Sequence, residues 1–468
     1  MGEPRTIHFV SLGCAKNRVD TEVMLGVSGQ SGFELVQDPA EAEVIVINTC
    51  GFIGPAKQES IETILEMSAY KESGACDKLV VAGCLSQRYP EELASELSEV
   101  DHFLGSSDML RLKRVLEGSR ERMLVGNPAQ YTMRADDPRV LTGETHRAYV
   151  KIAEGCNRKC SFCAIPSFRG KQRSRTIADL VREAEGLAAA GVVELNLISQ
   201  DTIAYGRDLP KRESLAELLA ALGDVEGIRW IRAHYLYPEQ LTDPLIEAFS
   251  QHEKVLPYID MPLQHASDSM LRAMRRGHGG DRVYRIVERV RRAIPNLVFR
   301  TTFIVGHPGE TREDFDELRK FVEWAELDHV GVFLYSPEEG TQSAEMSDPV
   351  DPGVAETRRA ELMSMQRPIS RARLELRIGT ELDVLVEGVS DESEWLLQGR
   401  WWGQAPEVDG SVYLANGTAQ RGEIRRVLVT GAADYDLMAD FVDARGGRDA
   451  PPDAKDPRTP KVKLRTLS

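Results

Sequence analysis

Three apolar runs near the start of this chain each stop on a cysteine, and that placement limits the folds open to it. His8-Phe-Val-Ser-Leu-Gly13 runs into Cys14, Val44-Ile-Val-Ile-Asn-Thr49 into Cys50, and Leu79-Val-Val-Ala-Gly83 into Cys84. Helix-patterned segments separate them; within 58–70, Ile61, Ile64, Leu65 and Ala69 fall on one face. Near-continuous apolar strands alternating with helices predict an open parallel sheet covered on both faces. In such a sheet the C-terminal strand ends share one edge, where ligands bind. Cys14, Cys50 and Cys84 are therefore expected to converge. Thiolates are soft ligands suited to iron–sulfur clusters, zinc and Cu(I). The three are read as a cluster site with one open iron; the competing reading is buried cysteines packing as small hydrophobes. Cys76, in the turn Gly74-Ala-Cys-Asp77, lies at no strand end and is read as incidental.

A later apolar run, 148–154, leads into Cys156-Asn-Arg-Lys-Cys160-Ser-Phe162-Cys163. Three cysteines at this spacing can hold three corners of a [4Fe–4S] cube. Such a cluster ordinarily takes four Cys ligands, and none follows nearby, which leaves the fourth iron to a small molecule. The alternatives are a zinc knuckle and a redox pair of Cys160 and Cys163; zinc would want a fourth His or Cys close by. The stretch resembles the radical S-adenosylmethionine signature, C-x3-C-x-aromatic-C, with Phe162 as the aromatic. That resemblance implies that the open iron chelates S-adenosylmethionine. It also implies that one electron from the cluster cleaves the cofactor to a 5′-deoxyadenosyl radical.

At 468 residues the chain exceeds one core and predicts about two to four domains. Residues 5–118 are the expected N-terminal α/β domain. Asn-Pro, Asp-Asp-Pro and Thr-Gly turns fill 119–142, expected as a linker. Residues 143–375 repeat a strand–helix unit about six times, which predicts a partial, open TIM-type (β/α)6 barrel with functional groups at the C-terminal strand ends. That places Cys156, Cys160 and Cys163 at the barrel mouth, with Phe162, Gln200 and Gln264 as candidate contacts to S-adenosylmethionine. Thr311 with Asp314 makes a loose helix capping box.

Residues 376–443 change to short strands and turns, read as a small antiparallel β-barrel of the OB type. Such barrels often bind RNA. Between 378 and 443, however, thirteen Asp and Glu face only Arg400, Arg421, Arg425 and Arg426, with no Lys. The electrostatic footprint for phosphate is missing, and a basic protein partner fits better. The formal net charge of −16 points the same way. The Pro-, Gly- and charge-rich stretch 444–468 is expected as a disordered tail. No window approaches 18 uninterrupted apolar residues, and the first residues lack a signal peptide's apolar core, so a cytoplasmic protein with no membrane span is expected.

Cysteines on a sheet edge, then a radical-cofactor barrel, then an OB-like barrel: this order resembles the methylthiotransferase family across nearly the whole chain, the last module being its TRAM domain. Ser11-Leu-Gly-Cys14-Ala-Lys-Asn17 with Asp20, Tyr235-Leu-Tyr-Pro238, Pro262-Leu-Gln-His265-Ala-Ser and Pro406-Glu-Val-Asp-Gly410 look like the branch that modifies ribosomal protein S-twelve. The resemblance implies two [4Fe–4S] clusters: one on Cys156, Cys160 and Cys163, and an auxiliary one on Cys14, Cys50 and Cys84 whose open iron carries sulfur. It implies that one S-adenosylmethionine methylates that sulfur. Another yields the radical that takes hydrogen from the β-carbon of an aspartate in S-twelve, free or within the small subunit; the carbon radical then captures the methylthio group. An electron donor and a sulfur source are implied as partners, with direct nucleic-acid binding at most secondary. The alternatives are a tRNA adenosine methylthiotransferase, an iron–sulfur redox protein with no substrate of its own, and a zinc-carrying RNA-binding protein.

Overall fold

The computed structural model describes residues 5–442 and the backbone of 463–465. Strands β1 (Arg5–Leu12), β2 (Phe33–Leu35), β3 (Val44–Thr49), β4 (Lys78–Gly83), β5 (His102–Leu104) and β6 (Met123–Leu124) pair in parallel, in the order β2-β1-β3-β4-β5-β6. Alternate side chains fill two apolar layers. Phe9, Val44 and Val46 pack with Val19 and Val23 of the helix Ala15–Gln30. Val10, Ile45 and Ile47 pack with Ile64 and Met67 of the helix Gly54–Ser68. Every residue of β3 is buried, as its unbroken apolar run requires.

The sheet runs past the expected boundary at 118. Met123–Leu124 adds a sixth strand from within the stretch read as a linker, and Leu124 is fully buried. Two apolar residues among turn residues carry no periodic signal, so pairing to β5 decides their state. Arg139, in the same stretch, has a side chain only 8% exposed and ion-pairs with Glu22 at 2.7 Å and with Glu183 at 2.5 Å. The segment thus ties the sheet to the barrel.

The barrel begins at β7 (Arg147–Lys151). A two-stranded ribbon, β8 (Ala153–Glu154) with β9 (Arg173–Ser174), then brackets the loop that carries Cys156, Cys160 and Cys163. β7, β10 (Glu194–Ile198) and β11 (Trp230–Ala233) form one parallel half; β12 (Tyr258–Asp260), β13 (Val298–Val305) and β14 (His329–Leu334) form the other. Backbone hydrogen bonds from Ile231 to Lys254 and from Leu236 to Asp260 join the halves. The six expected strand–helix units are present, and the barrel stays open. The helix after β13 starts with the capping box read from sequence, Thr311 and Asp314 bonding reciprocally.

The helix Pro352–Glu375 leads to the last module, with Leu362 in the barrel core and Leu374 in the next. There β15 (Glu381–Val389), β16 (Leu397–Trp401), β17 (Val412–Ala415), β18 (Ile424–Ala432) and β19 (Leu437–Phe441) close a barrel in the order β15-β16-β17-β19-β18. The pair β17–β19 is parallel, a correction to the all-antiparallel expectation. An odd number of strands cannot close with every neighbour reversed. β20 (Lys463–Arg465) pairs in parallel with Val10–Leu12 of β1; the rest of the stretch 444–468, expected as a disordered tail, lies outside the described residues. Among the described residues no helix is long and apolar enough to cross a membrane.

Candidate active site

Because β1, β3 and β4 are neighbours, their C-terminal ends line up. Cys14 follows β1 across one glycine, and Cys50 and Cys84 follow β3 and β4 directly. Gly13 takes φ +85°, and a Cβ there would stand 2.8 Å from Cys50 Cβ and 3.1 Å from its Sγ. The turn into Cys14 therefore touches Cys50 and admits only glycine. Cys14 is the N-cap of the helix Ala15–Gln30 and spends its side chain on no capping bond. Cys76 stands apart: it is buried in the apolar layer beneath the sheet, its thiol donating to the Lys78 carbonyl at 3.4 Å.

Burial makes several of these thiols reluctant to ionise. Burial and the nearby Cys84 and Cys14 push the Cys50 thiol up. Burial and Cys160 push Cys163 to about 12, and burial takes Cys156 to about 11. Thiols this reluctant to ionise become thiolates when metal binding displaces their protons. Among the described residues no three His, Cys, Asp or Glu gather as they would around one ion.

The segment that follows the second triplet packs on the first. The short helix Ile165–Arg169 begins two residues after Cys163, and Ala164 and Phe168 pack directly on Cys84, flanked by Phe52 and Ile165. Ser106 secures this contact by donating to the Phe168 carbonyl at 3.0 Å. Arg169 closes it. Its Nε and Nη2 donate to Cys84 Sγ at 3.3 and 3.0 Å, and Nη2 also donates to Asn17 Oδ1 at 2.7 Å. Its Nη1 pairs with Glu154 at 2.8 Å and Asp20 at 3.1 Å. Lys151 bridges the same two carboxylates at 2.6 and 3.1 Å. Burial opposes ionisation of Glu154, yet Arg169 and Lys151 outweigh it and hold that carboxyl below its usual range. Nothing in the sequence singled out Arg169.

The second triplet is braced from the barrel. Arg276 Nη1 lies 3.4 Å from Cys160 Sγ, and Tyr237 is sandwiched between Arg276 and Arg158, whose guanidinium carbons stand 4.1 and 3.7 Å from the ring centre. Gln200 donates to Glu154 Oε1 at 3.3 Å, while its own Oε1 is buried without a partner among the described residues. Gln264 holds a left-handed φ of +72°, its N–H donating to the Thr302 carbonyl at 2.9 Å. Phe162 is half-buried beside Cys163. Burial lowers the pKa of the Lys16 ammonium, which rests on the Tyr235 ring.

Family models match in three places: the Radical SAM superfamily at residues 150–322, Uncharacterized protein family UPF0004 at 6–105, and the TRAM domain at 378–442. The ribosomal protein uS12 methylthiotransferase RimO of Sorangium cellulosum (strain So ce56) is 61% identical, across 94% of this chain and 91% of its own. Its namesake from Anaeromyxobacter sp. (strain K) is 50% identical, across 97% and 96%. The chain belongs to the uS12 methylthiotransferase family. The radical S-adenosylmethionine methyltransferase TsrM from Kitasatospora setae, solved with cobalamin and a [4Fe-4S] cluster, shares the fold with a TM-score of 0.51 at 14% identity, across 75% of this chain and 80% of its own.

In this methylthiotransferase family member the stretch Pro406–Gly410 docks the TRAM barrel. Glu407 takes ion pairs from Arg18 at 2.5 Å and Arg147 at 3.2 Å. Asp409 accepts from the Tyr258 hydroxyl at 2.6 Å and pairs with Arg300 at 3.3 Å. With Glu387, paired with Arg147 at 3.4 Å, three of the module's acids serve this internal interface. Glu392 and Glu394 are exposed, whereas Asp434 pairs with Arg367 and Arg371 of the helix Pro352–Glu375 at 3.7 and 3.8 Å.

Proposed function

We propose that this enzyme adds a methylthio group to the β-carbon of an aspartate in ribosomal protein uS12. The observation that carries the reading is the dry seam in which Ala164 and Phe168, just beyond Cys163, pack on Cys84. A transfer from one cysteine triplet to a substrate activated at the other needs the two adjacent and shielded from water. [4Fe–4S] centres on Cys14, Cys50 and Cys84 and on Cys156, Cys160 and Cys163, with S-adenosylmethionine, would supply the one-electron and sulfur-transfer chemistry that an unactivated C–H bond demands.

The protein's own part is to hold and shield. Phe52, Ile165 and Phe168 exclude water from the seam. Phe162, Gln200 and Gln264 line the mouth as the contacts for S-adenosylmethionine. Arg169 and Arg276 donate to the sulfurs of Cys84 and Cys160. The electron donor and the sulfur source come from outside the chain. The acids that TRAM leaves exposed suit a basic ribosomal protein better than a phosphate backbone.

The test is an anaerobic assay of the reconstituted enzyme with reductant, sulfide and S-adenosylmethionine, offered a uS12 loop peptide and a prenylated tRNA. Mass spectrometry is expected to find the methylthio group on the peptide aspartate alone. Modification of the tRNA alone would overturn the substrate assignment and leave the chemistry standing.

A further inference from the structure

We propose that Lys16 grips the carboxylate of the aspartate to be modified; the assignment rests on the reading of the site given above. Lys16 is the second residue after Cys14, in the first turn of the helix Ala15–Gln30. Its Nζ stands 3.6 Å from the centre of the Tyr235 ring, and Tyr235 lies just beyond β11, at the barrel mouth. The ammonium therefore sits in the seam between the cysteine-bearing sheet edge and the mouth.

The other cations of that seam are committed. Arg169 and Lys151 serve Asp20 and Glu154. Arg18 serves Glu407, Arg158 serves Asp201 and Glu239, and Arg300 serves Asp260 and Asp409. Among the described residues Lys16 has no hydrogen-bond or ion-pair partner; only the Tyr235 ring holds it. A ring face fixes an ammonium while leaving its remaining N–H donors free.

The chemistry needs such a group. A substrate carboxylate entering beside Asp20, Glu154, Asp260 and two sets of thiolates meets like charge, and a desolvated carboxylate without a cation is costly. In aspartate the carboxylate is bonded directly to the reacting β-carbon, so a grip on one positions the other. An adenine base offers no anion at that distance. The same contact thus selects a carboxylate-bearing side chain over a nucleobase.

The experiment compares wild type with Lys16→Met and Lys16→Arg, each reconstituted and assayed on uS12 loop peptides carrying Asp or Asn at the acceptor position. Peptide binding is read by fluorescence anisotropy, turnover as kcat and KM separately, and iron per chain as a control. Wild type is expected to bind the Asp peptide at least about tenfold more tightly than the Asn peptide, as for a hydrogen bond to a charged group. Lys16→Met is expected to lose that preference through KM at unchanged iron content, with Lys16→Arg keeping part of it. Lys16→Gln, which retains a polar group over Tyr235, carries the test in place of a Met variant that loses iron. A full preference in both neutral variants, with wild type active on the peptide, overturns the Lys16 assignment alone. A wild type that modifies neither peptide overturns the functional reading and this assignment with it.

Discussion

The buried charges under the TRAM barrel set a measurable stability. Glu194, the first residue of β10, is wholly buried; it accepts from Arg400 of β16 at 2.7 Å and lies 3.4 Å from Arg232 of β11. Burial alone would raise its pKa, but Arg400 and Arg232 outweigh it and bring the carboxyl from the usual 4.5 to about 2. At about 1.4 kcal/mol per pKa unit, that depression contributes about 3 kcal/mol to the folded state. Removing one partner of a buried pair costs about 3–5 kcal/mol, which agrees. Glu194→Gln is therefore expected to lower the melting temperature by about 10 °C, at about 2–4 °C per kcal/mol for a unit of barrel size. Because the folded pKa is depressed, the stabilisation is fully present above the unfolded value near 4.5 and is lost as pH falls towards 2. Anaerobic scanning calorimetry of both proteins should show the gap at pH 7 and its narrowing below about pH 4. A single variant melting within about 2 °C of wild type at pH 7 would refute the reasoning.

Arg169→Lys removes the forked donor from Cys84; with Cys156, Cys160 and Cys163 all changed to Ala, potentiometric titration of the remaining centre should give a lower midpoint, because hydrogen bonds to the ligand sulfur favour the reduced state. Gly13→Ala forces a Cβ to 2.8 Å from Cys50 Cβ at a left-handed φ; iron analysis should fall towards that of a single four-iron centre. Cys76→Ser should leave iron per chain unchanged while lowering stability by about 1–3 kcal/mol in chemical denaturation, since a hydroxyl replaces a buried thiol.

The placement of Cys14, Cys50 and Cys84 was legible because each follows a mainly apolar run, and the strands of a parallel sheet end on one edge. The barrel was legible from its repeated strand–helix unit. What escaped depends on pairings that leave no local trace. Arg169 meets Asn17 across 152 positions, and a five-residue helix is too short for a period to betray its last residue. Met123–Leu124 is too short to alternate. The acidic TRAM composition was visible, but the commitment of Glu387, Glu407 and Asp409 to arginines elsewhere was not. A charge count cannot separate a docking face from an open one.

The helix Ala15–Gln30 also bears on modularity. Asp20 and Glu22 lie buried on it, 2% and 3% exposed. Their counter-charges, Arg139, Lys151 and Arg169, all arise beyond residue 118. Cut away from the barrel, the N-terminal sheet would strand two carboxylates on a helix face stripped of its cover. Family models divide this chain into three matched segments, yet two buried acids of the first have their counter-charges beyond it. A chimera that exchanges this sheet between relatives must carry the acids and their distant cations together.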